Sequence, residues 1–158
     1  MDTLTLTPSA LEAFVVRAKA ATYVGGTGKV APARTASHDL EYREGELAYR
    51  DSYFGGTDFL GQETVHHADR PVWGMNYYGY LLSDDIDAHT AGETIKAALT
   101  ELYHQNRFLG GFRQTVAGLS YVDENTGDVL RFQGVEHITT AAGVRAYELR
   151  YHGGRVLD

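Results

Sequence analysis

A short string of residues occurs twice in this chain and constrains its fold more than any other feature. Phe59-x-Gly61-x-Glu63-x-Val65 returns 73 positions on as Phe132-x-Gly134-x-Glu136-x-Ile138, and Tyr78 is matched by Tyr151 at the same offset. Side chains alternate faces along a strand, so each string predicts a strand that turns Phe, Gly, Glu and Val or Ile to one side. Both strings follow an apparent helix start. Ser9-Ala10-Leu11-Glu12 and Thr90-Ala91-Gly92-Glu93 fit the capping box, in which hydroxyl and carboxylate satisfy each other's free amide donors. Leu11, Phe14, Val15 and Ala18 then make one helical apolar stripe, and Ile95, Ala98, Leu99 and Leu102 another. Strand runs are expected at about 40–44, 46–54, 59–67 and 71–79 after the first helix, and at about 112–122, 128–140 and 143–151 after the second. Asn125-Thr126-Gly127 and Ala141-Ala142-Gly143 are the expected turns in that second set. The fold expected is α+β, one domain over residues 1–158. In it an α-β-meander unit is duplicated, about 9–82 and about 90–157, around a pseudo-twofold, with an antiparallel sheet and two helices packed on one face.

The chain can sustain such a fold unaided. At 158 residues, folding buries roughly 70% of the surface that the unfolded chain exposes. There is no cysteine, which excludes disulfides, thiolate metal sites and cysteine nucleophiles together. With 14 Lys and Arg against 21 Asp and Glu the formal charge is −7, so nucleic-acid binding has no electrostatic support. No apolar stretch approaches the ~18 residues of a membrane span, and the first residues lack the basic start of a leader, so a cytoplasmic location without membrane contact is expected. Eleven Tyr and 6 Phe beside 18 Gly point to turn-rich sheet with an aromatic interior or cleft.

The repeated strands also suggest a site. Glu63 and Glu136 fall on the inward face, where a carboxylate is costly unless it is paired or points into a wet cleft. Gly61 and Gly134, two residues earlier, either mark bends or leave room for something to approach. Leu47, Tyr49, Asp51 and Tyr53 share a strand face, and Asn76 shares one with Gly74 and Tyr78. A cleft lined by Asp51, Glu63, Asn76, Glu136 and tyrosines has the makeup of a small-ligand site. Acid–base candidates are Glu63, Asp51 and Glu136, with Glu63 favoured as the functional member; ligand contacts are expected from Tyr49, Tyr53, Trp73, Asn76, Tyr78 and Tyr151. Two carboxylates brought close would divide into an acid and a base, whereas tyrosines beside acids suit an organic cation or an amphipathic molecule. Trp73, Met75 and Tyr77 form an aromatic stripe that needs a cover: a helix, a cleft, or a second copy in a homodimer.

Other signals are weaker. Gly25-Gly26-Thr27-Gly28-Lys29 lacks the spacing and the strand of a phosphate loop and reads better as a linker or a mobile flap over the cleft. The seven histidines contain no helical His-x-x-x-His pair, and Ser83-Asp84-Asp85-Ile86-Asp87 lacks the glycine and terminal glutamate of a calcium hand, so no metal and no cofactor are expected.

Four longer strings carry a resemblance: Tyr49-Arg50-Asp51-Ser52-Tyr53-Phe54-Gly55-Gly56, Phe59-Leu60-Gly61-Gln62-Glu63, Pro71-Val72-Trp73-Gly74-Met75-Asn76-Tyr77-Tyr78-Gly79 and Tyr151-His152-Gly153-Gly154. In these the chain resembles a bacterial family of unknown function whose members often form the C-terminal domain of XRE-type helix-turn-helix regulators. At fold level the plan is also similar to GyrI-like effector-binding domains. The resemblance implies an effector-binding role and assigns no catalytic residue. The expected function is binding of a small organic ligand, as sensor, carrier or sequestering protein. The rivals are a small hydrolase, isomerase or cyclase using carboxylate and tyrosine groups, and a purely structural interaction module.

Overall fold

The computed structural model describes residues 6–158. Its elements run α1 (Pro8–Lys19), a π-helical turn (Ala20–Val24), β1 (Lys29–Val30), β2 (His38–Glu44), β3 (Leu47–Gly55), β4 (Phe59–His67), β5 (Arg70–Leu81), α2 (Ala88–His104), β6 (Phe112–Val116), β7 (Leu119–Asp128), β8 (Arg131–Thr139) and β9 (Arg145–Arg155). All nine strands join one antiparallel sheet in the order β1-β2-β3-β4-β5-β9-β8-β7-β6. No helix among the described residues is long and apolar enough to cross a membrane.

This corrects the expected class. The molecule is sheet-dominated, with 48% of residues in strands and 22% in helices, and the duplicated α-β-meander unit is not what organises it. The parts compared are unequal, since β1 and the π-helical turn occur only before α2. Neither capping box forms. The side chain of Thr7 accepts from the Ala10 amide and that of Asp87 from the Thr90 amide, which makes Thr7 and Asp87 the caps and leaves Ser9 and Thr90 inside their helices. The recurring string has a more local cause. Gly61 lies directly opposite Tyr77, and Gly134 opposite Tyr151. A β-carbon on either glycine would overlap the ring across from it, so glycine is what lets each tyrosine lie flat over the neighbouring strand.

Strand boundaries shifted where turn chemistry was atypical. The single run expected over 112–122 is two strands, β6 and β7, broken at Ala117-Gly118, whose φ angles of 48° and 83° make a two-residue left-handed turn without the usual Asn-Gly or Asp-Gly. Asn125-Thr126-Gly127 belongs to β7, and the chain reverses instead at Val129-Leu130. The turn at Ala141-Ala142-Gly143 stands.

Inward and outward faces are sharply different. Tyr49, Val65, Trp73, Tyr121, Ile138 and Tyr147 are at most 1% exposed and pack beneath Phe14 and Val15 of α1 and Ala98 and Leu102 of α2. Trp73 is the hub. Its ring stacks on Phe132 at 5.8 Å, meets Phe108 edge-on at 6.1 Å, and its indole N–H donates to the Val129 carbonyl at 2.8 Å. The Trp73, Met75 and Tyr77 stripe is thus covered from within the chain, which removes the reason to place a homodimer contact on it. Gly28 is tied to the sheet edge, its carbonyl accepting from the Glu41 amide at 2.8 Å, so the 25–29 segment is an edge connection and not a flap.

The glycine–tyrosine pairs make a direct prediction. Gly134 has no left-handed φ, so alanine there would ordinarily be neutral or stabilising. Because the added methyl meets the Tyr151 ring, Gly134→Ala should instead cost about 1–3 kcal/mol in urea unfolding, and much less when introduced into Tyr151→Leu, where the ring is gone. An unchanged midpoint for the single variant would show that the ring is free to move aside.

Candidate functional site

Between the inward face of the sheet and the two helices lies a cavity of about 270 Å³. α1 and the turn after it contribute Lys19 and Tyr23, and α2 contributes Ile95, Leu99 and Tyr103. The sheet contributes Asp51, Glu63, Tyr77, Asp123, Glu136, Tyr147 and Tyr151. Its exposed rim is the β3–β4 turn at Gly55, Gly56 and Thr57, facing Ala88 and Gly92 at the start of α2.

The acids come as two cross-strand pairs. Asp51 is opposite Glu63 on β3 and β4, and Asp123 is opposite Glu136 on β7 and β8. Each Asp is held by a tyrosine: Tyr77 donates to Asp51 Oδ1 at 2.6 Å and Tyr151 to Asp123 Oδ1 at 2.7 Å. Asn125 donates to Asp123 Oδ2 at 3.2 Å and to the Tyr151 hydroxyl at 3.0 Å. Glu136 accepts from Tyr121 and, at 3.3 Å, from Tyr147. Among the described residues only Glu63 has a cation, Lys19 Nζ at 2.7 Å from its Oε1. The other oxygen, Oε2, is buried without a hydrogen-bond partner, and so is the Tyr49 hydroxyl.

Burial decides the protonation of this wall. Desolvation, followed by the Asp123 charge, lifts the Glu136 carboxyl to about 7, against the pull of its tyrosine bonds and of Lys19. Desolvation and the facing Glu63 raise Asp51, and desolvation raises Asp123. Tyr77 and Tyr151 go up for the same reason, then because of the Asp each one touches, so both stay neutral donors. No group of three or more His, Asp or Glu among the described residues is arranged to hold a metal ion.

The structure brings together some of the residues picked from sequence and separates others. Asp51, Glu63, Glu136, Tyr53 and Tyr151 line the cavity. Tyr49 is fully buried and does not line it, and Trp73 spends its N–H on Val129 inside the core. Asn76 and Tyr78 are on the opposite, outer face, where Asn76 accepts from Gln62 at 2.9 Å and Tyr78 is 48% exposed. They and Tyr77 alternate along β5, and Tyr77 is the inward one. Lys19, Asp123, Tyr103 and Tyr147 are cavity residues beyond those expected, and Tyr77 is expected only as part of the stripe with Trp73 and Met75. Two of these had a usable signal: Tyr121-x-Asp123 repeats the spacing of Tyr49-x-Asp51, and Lys19 falls four residues after Val15 on the apolar side of its helix, where an ammonium needs a partner.

Residues 51–156 match the family described as Domain of unknown function (DUF5680). The chain belongs to this family. No curated protein and no solved structure matches it. The DUF5680 match begins at Asp51 and takes in both acidic pairs, whereas Lys19 and Tyr23 lie outside the matched residues.

Two measurements follow. Since the folded state raises Glu136 above its ordinary value of 4.5, it holds that proton more tightly than the unfolded chain. This contribution to stability is complete below pH 4.5 and disappears as pH rises through about 7; it amounts to roughly 3 kcal/mol. Asp51 and Asp123 act in the same direction, so thermal unfolding temperature should fall across this window, and Glu136→Gln should make the fall shallower. Lys19→Met strands the Glu63 carboxylate and should cost about 3–5 kcal/mol, while Lys19→Met/Glu63→Gln should cost clearly less in denaturant unfolding.

Proposed function

We propose that this domain binds a small organic cation in the cavity under its two helices. The observation that carries the reading is the charge balance of the wall, where four carboxyl groups face a single amine, Lys19. Buried acids left short of cations hold their protons more tightly, and a bound cation would let them ionise while its charge is neutralised. The walls suit such a guest, because tyrosine and phenylalanine faces attract ammonium groups; Lys19 Nζ already sits 5.6 Å from the Phe108 ring centre. At about 270 Å³ the cavity is at the small end of ligand pockets, which suits a small organic molecule. A role as sensor, carrier or sequestering protein accords with this, and the sequence resemblance to a family often fused to XRE-type regulators favours the sensor.

The enzyme reading has one specific observation behind it, the Glu136 carboxyl lifted to about 7 beside tyrosine donors, which is where a general acid–base group works well at neutral pH. The two readings part on what happens to the guest. Thermal-shift screening with a panel of amines, quaternary ammonium ions and neutral isosteres should show stabilisation by cations alone. Proton NMR of the best cation after prolonged incubation should then return it unchanged. A panel in which neutral isosteres stabilise equally would overturn the cation reading, and conversion of the cation would replace the sensor with an enzyme.

A further inference from the structure

The cavity presents two acidic stations, and they differ in how far they are already satisfied. At the first, Lys19 neutralises Glu63 through Oε1, yet Oε2 of the same carboxylate is buried without a partner and Asp51 is directly across from it. Glu63 is 5% exposed, so water in the open does not account for that oxygen. At the second, every hydrogen bond to Asp123 and Glu136 from the described residues comes from a neutral tyrosine or amide, and none of their cations touches either. Lys19 acts on this second station only through its field, which also reaches Asp51, and Arg107 acts on Asp123 in the same way from outside the cavity wall. The first station therefore lacks a donor, and the second lacks a charge.

Both deficits are of the kind an ammonium fills, and the chain contains its own example. The Lys19 side chain is a butylammonium already lodged against this wall, with its head on a carboxylate and its stem among apolar groups. Between the stations the sheet offers Met75 and Leu149, which fit methylene groups and supply no polar partner. A quaternary ammonium would leave Oε2 unbonded, since it has no N–H to give.

We infer that the cavity takes an aliphatic diamine, with one ammonium between Glu63 Oε2 and Asp51 and the other between Asp123 and Glu136. This rests on the cation reading above and narrows it to a guest with two charged ends and an apolar middle. The guest brings two positive charges to a wall that has one amine for four acids.

Isothermal titration of the unmodified protein with the unbranched diamines from 1,3-diaminopropane to 1,8-diaminooctane, and with butylamine and hexylamine, tests it. Affinity should pass through a maximum at one chain length, and that diamine should bind at least about tenfold more tightly than the monoamine of equal length, the worth of one charge-assisted contact. Asp51→Asn and Asp123→Asn should each reduce the best diamine to the level of its monoamine while changing monoamine affinity by much less. Folding of the variants is checked by circular dichroism; the length series needs no variant at all. Diamines that bind no better than monoamines, with no length optimum, would overturn the two-station inference and leave the cation reading standing. Absence of binding by every amine, together with no stabilisation by any quaternary ammonium ion of the panel above, would overturn both.

Discussion

A lysine ammonium set down on a carboxylate in the middle of a sheet is the contact on which the rest of this structure depends. Lys19 is the last residue of α1, and Glu63 is mid-strand in β4, so the pair fixes the end of the helix over one place on the inward face. Two charges taken out of water are tolerable only while each has the other, which makes the position of α1 an electrostatic condition as well as a packing one. The helix then continues into the π-helical turn and delivers Tyr23 to the same cavity. Such turns are uncommon and tend to occur where a helix serves a site.

Glu63 apart, the acids on this wall are kept by hydrogen-bond geometry and not by an ion pair. Three of the four are served by tyrosine hydroxyls, and the two that reach the aspartates, Tyr77 and Tyr151, do so by lying across strands that have glycine at the point of contact. A ring over a glycine, with its hydroxyl on the aspartate beyond, is one device that sets spacing, hydrogen bonding and burial together. It explains why Gly61 and Gly134 stand two residues before a glutamate without any need for them to admit a ligand.

The sequence disclosed the faces of the strands better than the plan of the fold. Alternation identified Glu63 and Glu136 as inward, and burial of Gly61, Glu63 and Val65 agrees with it, because a strand has only two faces to choose between. The plan failed because it relied on capping boxes that do not form and on a repeated string whose cause is the local glycine–tyrosine contact. Asn76 and Tyr78 were placed in the cleft because their own face was correctly read as shared but not tied to a side of the sheet; only the register with Gln62 and Leu60 shows it to be the outer one. Asp123 was legible only by comparison, through Tyr121-x-Asp123 repeating Tyr49-x-Asp51; its pairing with Glu136 needs the register, which irregular punctuation of β6 and β7 hides. Lys19 was visible as an ammonium on an apolar stripe, but no property of α1 alone says which of 21 acidic residues meets it.

The position of β9 governs how such a sheet can be assembled. It is made after the other eight strands, yet it lies between β5 and β8 and bonds to both along almost its whole length. Until it appears, β1 to β5 end in a bare edge on β5, and β6 to β8 end in another on β8, each with a row of unpaired amides and carbonyls. Pairing Trp73 with Arg155 closes a long stretch of chain at once, so the decisive step is non-local and slow in the manner of sheet proteins generally. During synthesis the two unfinished edges are open to one another and to other chains, and insertion of one strand removes both hazards together.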